Sequence, residues 1–131
     1  MPSTVTTDIS PSDLLGRFRG PVFDARHGYP ETMQLKVTDG EGGVWWLTTF
    51  DSQYTPSDPD DLLGKAVVGA GLDERSGLLT VDFADGSAFR IVPNPLDPEY
   101  DLTVWSLFTP DGMVLIWGPG DRREFRKASS R

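Results

Sequence analysis

Along much of the chain, apolar and polar residues exchange places at every step. Met33, Leu35 and Val37 alternate with Gln34, Lys36 and Thr38, and Leu79, Val81 and Phe83 share a second such stripe. A period of two puts one set of side chains on each face of an extended strand. Turn chemistry interrupts the stripes at Asp39-Gly40-Glu41-Gly42-Gly43, Arg75-Ser76-Gly77, Asp85-Gly86 and Pro110-Asp111-Gly112. Glycine reaches the positive φ that a tight reversal needs, and Asp-Gly between alternating runs is a strong hairpin signal. The pattern therefore predicts strands over residues 33–38, 44–50, 66–72, 79–83, 88–92, 103–108 and 113–117. The last of these is apolar on both faces, which places it centrally in a sheet rather than at an edge.

Ser10-Pro11-Ser12-Asp13 followed by Leu14, Leu15 and Phe18 reads as a short helix, with a capping serine, proline at its first position and an early acid. Asp24 to Pro30 reads as a polar bend. Asp51 to Asp61 reads as the longest irregular stretch, with Asp60 or Asp61 capping a brief turn through Leu62-Leu63. Pro93 to Pro98 reads as a stiff loop. The fold class expected is mainly β: an antiparallel sandwich or open barrel of about seven or eight strands built from hairpins, with a short N-terminal helix. Gly20, Leu35, Val37 and Gly42 recur identically 44 positions later at Gly64, Leu79, Val81 and Gly86, while Trp45 and Leu47 become Phe89 and Ile91. Two successive hairpins of similar turn spacing account for that echo.

A chain of 131 residues with seven Phe, four Trp and three Tyr has the bulk to bury one core without staples. The division expected is a flexible leader over 1–9, a single β-rich domain over 10–120 and a basic, partly disordered tail over 121–131. There is no cysteine, so disulfides and thiolate metal sites are excluded, and a reducing cytoplasm is the expected location. Residues 1–10 carry no basic residue and no apolar block, unlike a secretory signal, and no run approaches the ~20 apolar residues of a membrane span. The net charge of -8 is uneven: residues from Asp121 onward carry about +3, and the body before them about -11. A body of that sign repels phosphate backbones and suits a basic protein partner.

Catalytic chemistry finds little material. His27 is the only histidine, and an acid–base role would require it to act with Asp24. Without cysteine or a second histidine it could anchor a zinc site only with carboxylates, and no G-x-S-x-G elbow is present. Gly69-Ala70-Gly71 is half of a dinucleotide fingerprint, but Arg75 stands near where its third glycine belongs. The Asp51–Asp61 stretch lacks the D-x-D-x-D-G rhythm of a calcium loop. No catalytic residue, metal ligand or cofactor is assigned. The stretch does suit docking on a basic partner, through Asp51, Tyr54, Asp58, Asp60 and Asp61. Trp105 and Trp117 read as core. Trp45 and Trp46 are adjacent in one strand and must face opposite ways, so one is core. The other either packs under the mid-chain loop or stands exposed as a binding anchor, for which Trp46 is the candidate.

Residues 63–120 carry Leu63-Gly64 with Val67, a strand ending at Asp85-Gly86, then Trp105, Leu107, Pro110 and Gly112, and close on Gly118-Pro119-Gly120. This resembles a group of small actinobacterial domains of unknown function that combine a W-x-L-x-x-P-x-G hairpin with a terminal G-P-G. The resemblance implies no activity. Small acidic domains of this sort are often immunity proteins that neutralise a toxin, an analogy at the level of class. The function expected is thus a non-enzymatic protein-binding module, of the immunity-inhibitor type, facing a basic protein. The alternative is a small-molecule-binding barrel or sandwich lined by Trp45 or Trp46. An uncovered edge strand would offer a route to a homodimer.

Overall fold

The computed structural model describes residues 11–28, 32–50, 52–73, 75–93, 104–118 and 123–127. Ten strands form one antiparallel sheet: β1 (Gly20–Gly28), β2 (Thr32–Thr38), β3 (Val44–Thr49), β4 (Ser52–Thr55), β5 (Ala66–Leu72), β6 (Leu79–Phe83), β7 (Ala88–Pro93), β8 (Trp105–Phe108), β9 (Met113–Trp117) and β10 (Arg123–Lys127). A single-turn helix α1 (Pro11–Leu15) precedes them, and a 3-10 turn (Pro59–Asp61) separates β4 from β5. The strand order is β10-β9-β8-β3-β2-β1-β5-β6-β7-β4, and the sheet does not close into a barrel.

Seven strands lie where alternation and turns predict them, and three do not. Strand β1 runs through Asp24 to Gly28, the segment that reads as a polar bend. It extends because β2 pairs with it from Val22 to Gly28. Strand β4 occupies the start of the stretch read as irregular, held at the sheet's edge by β7 alone. Strand β10 comes from the basic tail, where Arg123 to Lys127 pair with β9. The domain therefore takes in part of the tail. Strand β9 is second from the end of the sheet rather than central, and β10 pairs along its outer edge. Leader residues 1–9, the helix-capping Ser10, the loop from Asn94 to Pro98 and the Pro119-Gly120 pair lie outside the described residues.

Strand β1 joins the two halves of the sheet. Its Gly20 and Pro21 pair with Val67 and Ala66 of β5, and its remainder pairs with β2. Two backbone bonds continue the seam, Val22 N–H to the Lys65 carbonyl at 2.8 Å and Gly64 N–H to the Val22 carbonyl at 2.9 Å. Each seam strand has a bulge where the partners change: between Val22 and Asp24 in β1, against β2, and between Val67 and Gly69 in β5, against β6. Gly20 has φ of +138°, and a Cβ on it would collide with the Thr38 carbonyl, so only glycine fits.

The inward faces of both halves share one core. Leu35, Trp45, Leu47 and Trp105 from one half meet Val67, Val81, Phe89 and Ile91 from the other, all at 2% exposure or less. Leu14, Leu15 and Phe18 cap one end, with the Phe18 ring 6.1 Å from that of Trp45. Trp105 and Trp117, directly opposite on β8 and β9, stack at 5.9 Å with their planes 2° apart. The echo at 44 residues has a structural counterpart. Leu35 pairs with Leu47 and Val37 with Trp45, just as Leu79 pairs with Ile91 and Val81 with Phe89. Gly20, Gly42, Gly64 and Gly86 all have positive φ.

Many aspartates are spent on turns. Asp39 Oδ1 accepts from the Glu41 and Gly43 amides, and its Oδ2 accepts the indole N–H of buried Trp45 at 3.0 Å. The Trp45 bond, with those two amides, holds its carboxyl below the usual carboxylate range. The amide of Arg75 and the hydroxyl of Ser76 lower Asp73, and Lys65 with Ser87 lowers Asp85 well below that range. Groups lowered in the fold stabilise it fully above their unfolded value, and that contribution is lost as pH falls through the folded values. We predict a thermal midpoint that declines steeply below about pH 4. In Asp39→Asn the same acid titration of the midpoint should be shallower, and an identical slope would remove Asp39 from this role.

Candidate functional site

The 3-10 turn follows from Ser57-Asp58-Pro59-Asp60-Asp61. Proline fits a first helical position, where no N–H is needed, and the Asp58 side chain accepts the Asp60 amide at 3.0 Å. The cap is thus Asp58, not Asp60 or Asp61. An oxygen on residue 58 reaches an amide two residues on, whereas residues 60 and 61 already lie inside the turn. Leu62, fully buried, pins the turn to the core, and its neighbour Leu63 is 49% exposed.

Beside this turn lies an open groove of about 470 Å³, lined in part by Asp60, Asp61, Leu63, Lys65, Phe83 and Ser87. Lys65 is committed: its ammonium bonds Asp85 at 2.7 Å and the Ser87 hydroxyl at 2.8 Å, and lies 5.8 Å from the Phe83 ring centre. That leaves the carboxylates of Asp60 and Asp61 exposed and, among the described residues, without ion pair or hydrogen bond. Desolvated apolar walls next to unneutralised carboxylates can accept a cationic group with an apolar stem.

The other predicted docking residues are not gathered here. Asp51 lies outside the described residues. Tyr54 is half-buried on β4, its ring 6.1 Å from that of Phe89 and 6.4 Å from that of His27, so it packs against the core instead of standing exposed in a loop. Trp46 sits on the outward face of β3, well removed in strand order from the 3-10 turn. Its ring is flanked by Phe108 at 5.4 Å and by the Lys36 ammonium at 5.0 Å. It is half-buried, and its Nε1 has no hydrogen-bond partner. Trp45 is the core member of the pair.

His27 and Asp24 do not form an acid–base pair. The His27 Nε2–H donates to the Ser57 carbonyl at 2.7 Å, tying β1 to the segment after β4. The Asp24 carboxylate takes two bonds from Arg26, at 3.0 and 3.1 Å, with the Lys36 ammonium 3.9 Å away. Successive residues on a strand point to opposite faces, and three positions separate 24 from 27, which sends the two side chains apart. Among the described residues no three His, Asp or Glu side chains converge as metal ligands, and no helix is long and apolar enough to cross a membrane.

Sequence reasoning missed the apolar part of the site. Leu62-Leu63 reads only as a brief turn, and the structure buries Leu62 while leaving Leu63 exposed. These roles separate by mutation. Asp58→Ala should cost about 1 kcal/mol in chemical denaturation through loss of the cap, while Asp60→Asn and Asp61→Asn should each stay within about 0.5 kcal/mol. Equal losses at all three positions would show that the two exposed carboxylates are structural.

No protein-family model, curated protein or solved structure matches the chain.

Proposed function

We propose that this chain is a non-enzymatic protein-binding module that presents its acidic surface to a basic protein, in the manner of an immunity-type inhibitor. The observation that carries this reading is the pair of carboxylates, Asp60 and Asp61, without ion pair or hydrogen bond among the described residues, lining an open groove beside exposed Leu63. Leaving two neighbouring carboxylates unneutralised, when Asp39, Asp73 and Asp85 are all engaged in turns, keeps negative potential available for a partner. The net charge of -8 extends the attraction beyond contact range and speeds encounter with a cationic protein. His27 and Asp24 are committed to other partners, and the groove is lined by none of the four tryptophans.

The test compares immobilised wild-type chain with an Asp60→Asn/Asp61→Asn double variant in lysate of the source cells. The expected result is a basic protein retained by the wild type at low salt, released at moderate salt and not retained by the double variant, because salt screens exposed charge. Equal retention by both chains, or none by the wild type, would contradict the proposal.

A further inference from the structure

The seam that joins the sheet halves leaves apolar side chains on its outer surface. Val22 of β1 and Val67 of β5 point inward, at 1% and 2% exposure. Their neighbours therefore point outward: Pro21 and Phe23 on β1, Ala66 and Val68 on β5. Pro21 and Ala66 are direct cross-strand partners. Phe23 is 48% exposed and Val68 45%, and each is the extra residue of its bulge. The Gly64–Val22 backbone bond brings Leu63 alongside Phe23. Phe23, Pro21, Ala66 and Val68 thus make one continuous strip, roughly 13 Å long at the usual rise per residue, which Leu63 connects to the groove.

We infer that this strip is the docking surface for an apolar anchor of the basic partner, an anchor flanked in its own chain by lysine or arginine. The inference rests on the proposed reading of the acidic surface and deepens it by naming what the partner must present. Contiguous exposed apolar surface on a small domain marks a contact site. Its surroundings select the partner's charge. Asp60 and Asp61 lie at the Leu63 end, and exposed Asp82, the cross-strand partner of Gly69, lies at the Val68 end. Of the positive charges beside the strip, Lys65, next to Ala66, is bonded to Asp85 and Ser87, and exposed Arg19, next to Gly20, bonds the Gly16 carbonyl through its Nε. A second copy of the chain is a poor occupant, because two bodies of charge -8 repel each other. A patch with an apolar centre and charged rim is also the usual anatomy of a binding site, where the centre sets affinity and the rim sets partner choice.

The experiment titrates isotope-labelled full-length chain with a short capped peptide of alternating leucine and lysine, and with a lysine–serine peptide of equal charge. Amide shifts are followed by NMR for the wild type, for Phe23→Ser/Val68→Thr and for Asp60→Asn/Asp61→Asn. Exposed positions tolerate such changes, and an unchanged thermal midpoint verifies the fold. The expected result is that the leucine–lysine peptide shifts Phe23 and residues 63–68. Its affinity should fall about five-fold or more in the strip variant, while the lysine–serine peptide is indifferent to that change.

Equal affinity of wild type and strip variant for the leucine–lysine peptide, or shifts confined to other strands, would overturn the inference and leave the acidic-surface reading standing. Binding that needs the strip but ignores both salt and the Asp60/Asp61 changes would retain the strip and remove that reading. Shifts at the same residues on concentrating the chain alone would make the strip a homodimer contact and also overturn the inference.

Discussion

The structure depends on one strand serving two partners. Strand β1 gives its first residues to β5 and the rest to β2, and among the described residues no other strand pairs across the two halves. Both strands are bulged where they meet, and Gly20 there occupies a backbone region closed to other residues. The bend so created folds the halves over a common core, where Trp45 of one half and Phe89 of the other are both fully buried. The two bulges leave Phe23 and Val68 exposed. The exposed apolar strip is therefore a consequence of how the sheet is joined, and its placement beside the 3-10 turn is what associates it with free carboxylates.

The seam is also where the sequence was hardest to read. Local hairpins were legible because their signals are local: alternating faces, Asp-Gly turns and matched spacing, which recovered β2–β3, β6–β7 and β8–β9. Strand β1 was not, because Pro21-Val22-Phe23-Asp24 breaks the period of two at its bulge, and its polar second half is extended only through pairing with β2. Strands β4 and β10 are short edges whose conformation is set by a neighbour, and nothing in Ser52–Thr55 or Arg123–Lys127 announces that neighbour. Edge strands rich in charge and bounded by proline resist further pairing, and those same properties make them resemble loops.

Composition told half of the electrostatic story. Twenty acidic residues suggest a uniformly acidic surface, yet the aspartates divide by local geometry. Asp39, Asp58, Asp73 and Asp85 accept amides two residues on and so build turns, and Asp111 binds the Thr109 hydroxyl in the last hairpin. Asp60, Asp61 and Asp82 have no such duty. The sequence placed Asp60 and Asp61 in a docking segment without separating them from Asp58. Likewise it stated that Trp45 and Trp46 must face opposite ways, and only the structure, through the Asp39–indole bond, shows which is core.

If one bridging strand and one shared core hold both halves, neither half can open alone. Native-state hydrogen exchange measures this directly, because it reports the opening free energy at each amide. The account predicts that core amides of β3, such as Leu47, and of β6, such as Val81, exchange with the same free energy, equal to that of global unfolding. The Val22 and Gly64 amides of the seam should be protected alongside them. A distinctly lower opening free energy for β6 and β7, with the seam amides exchanging at loop rates, would show two halves that fold apart and would contradict the account.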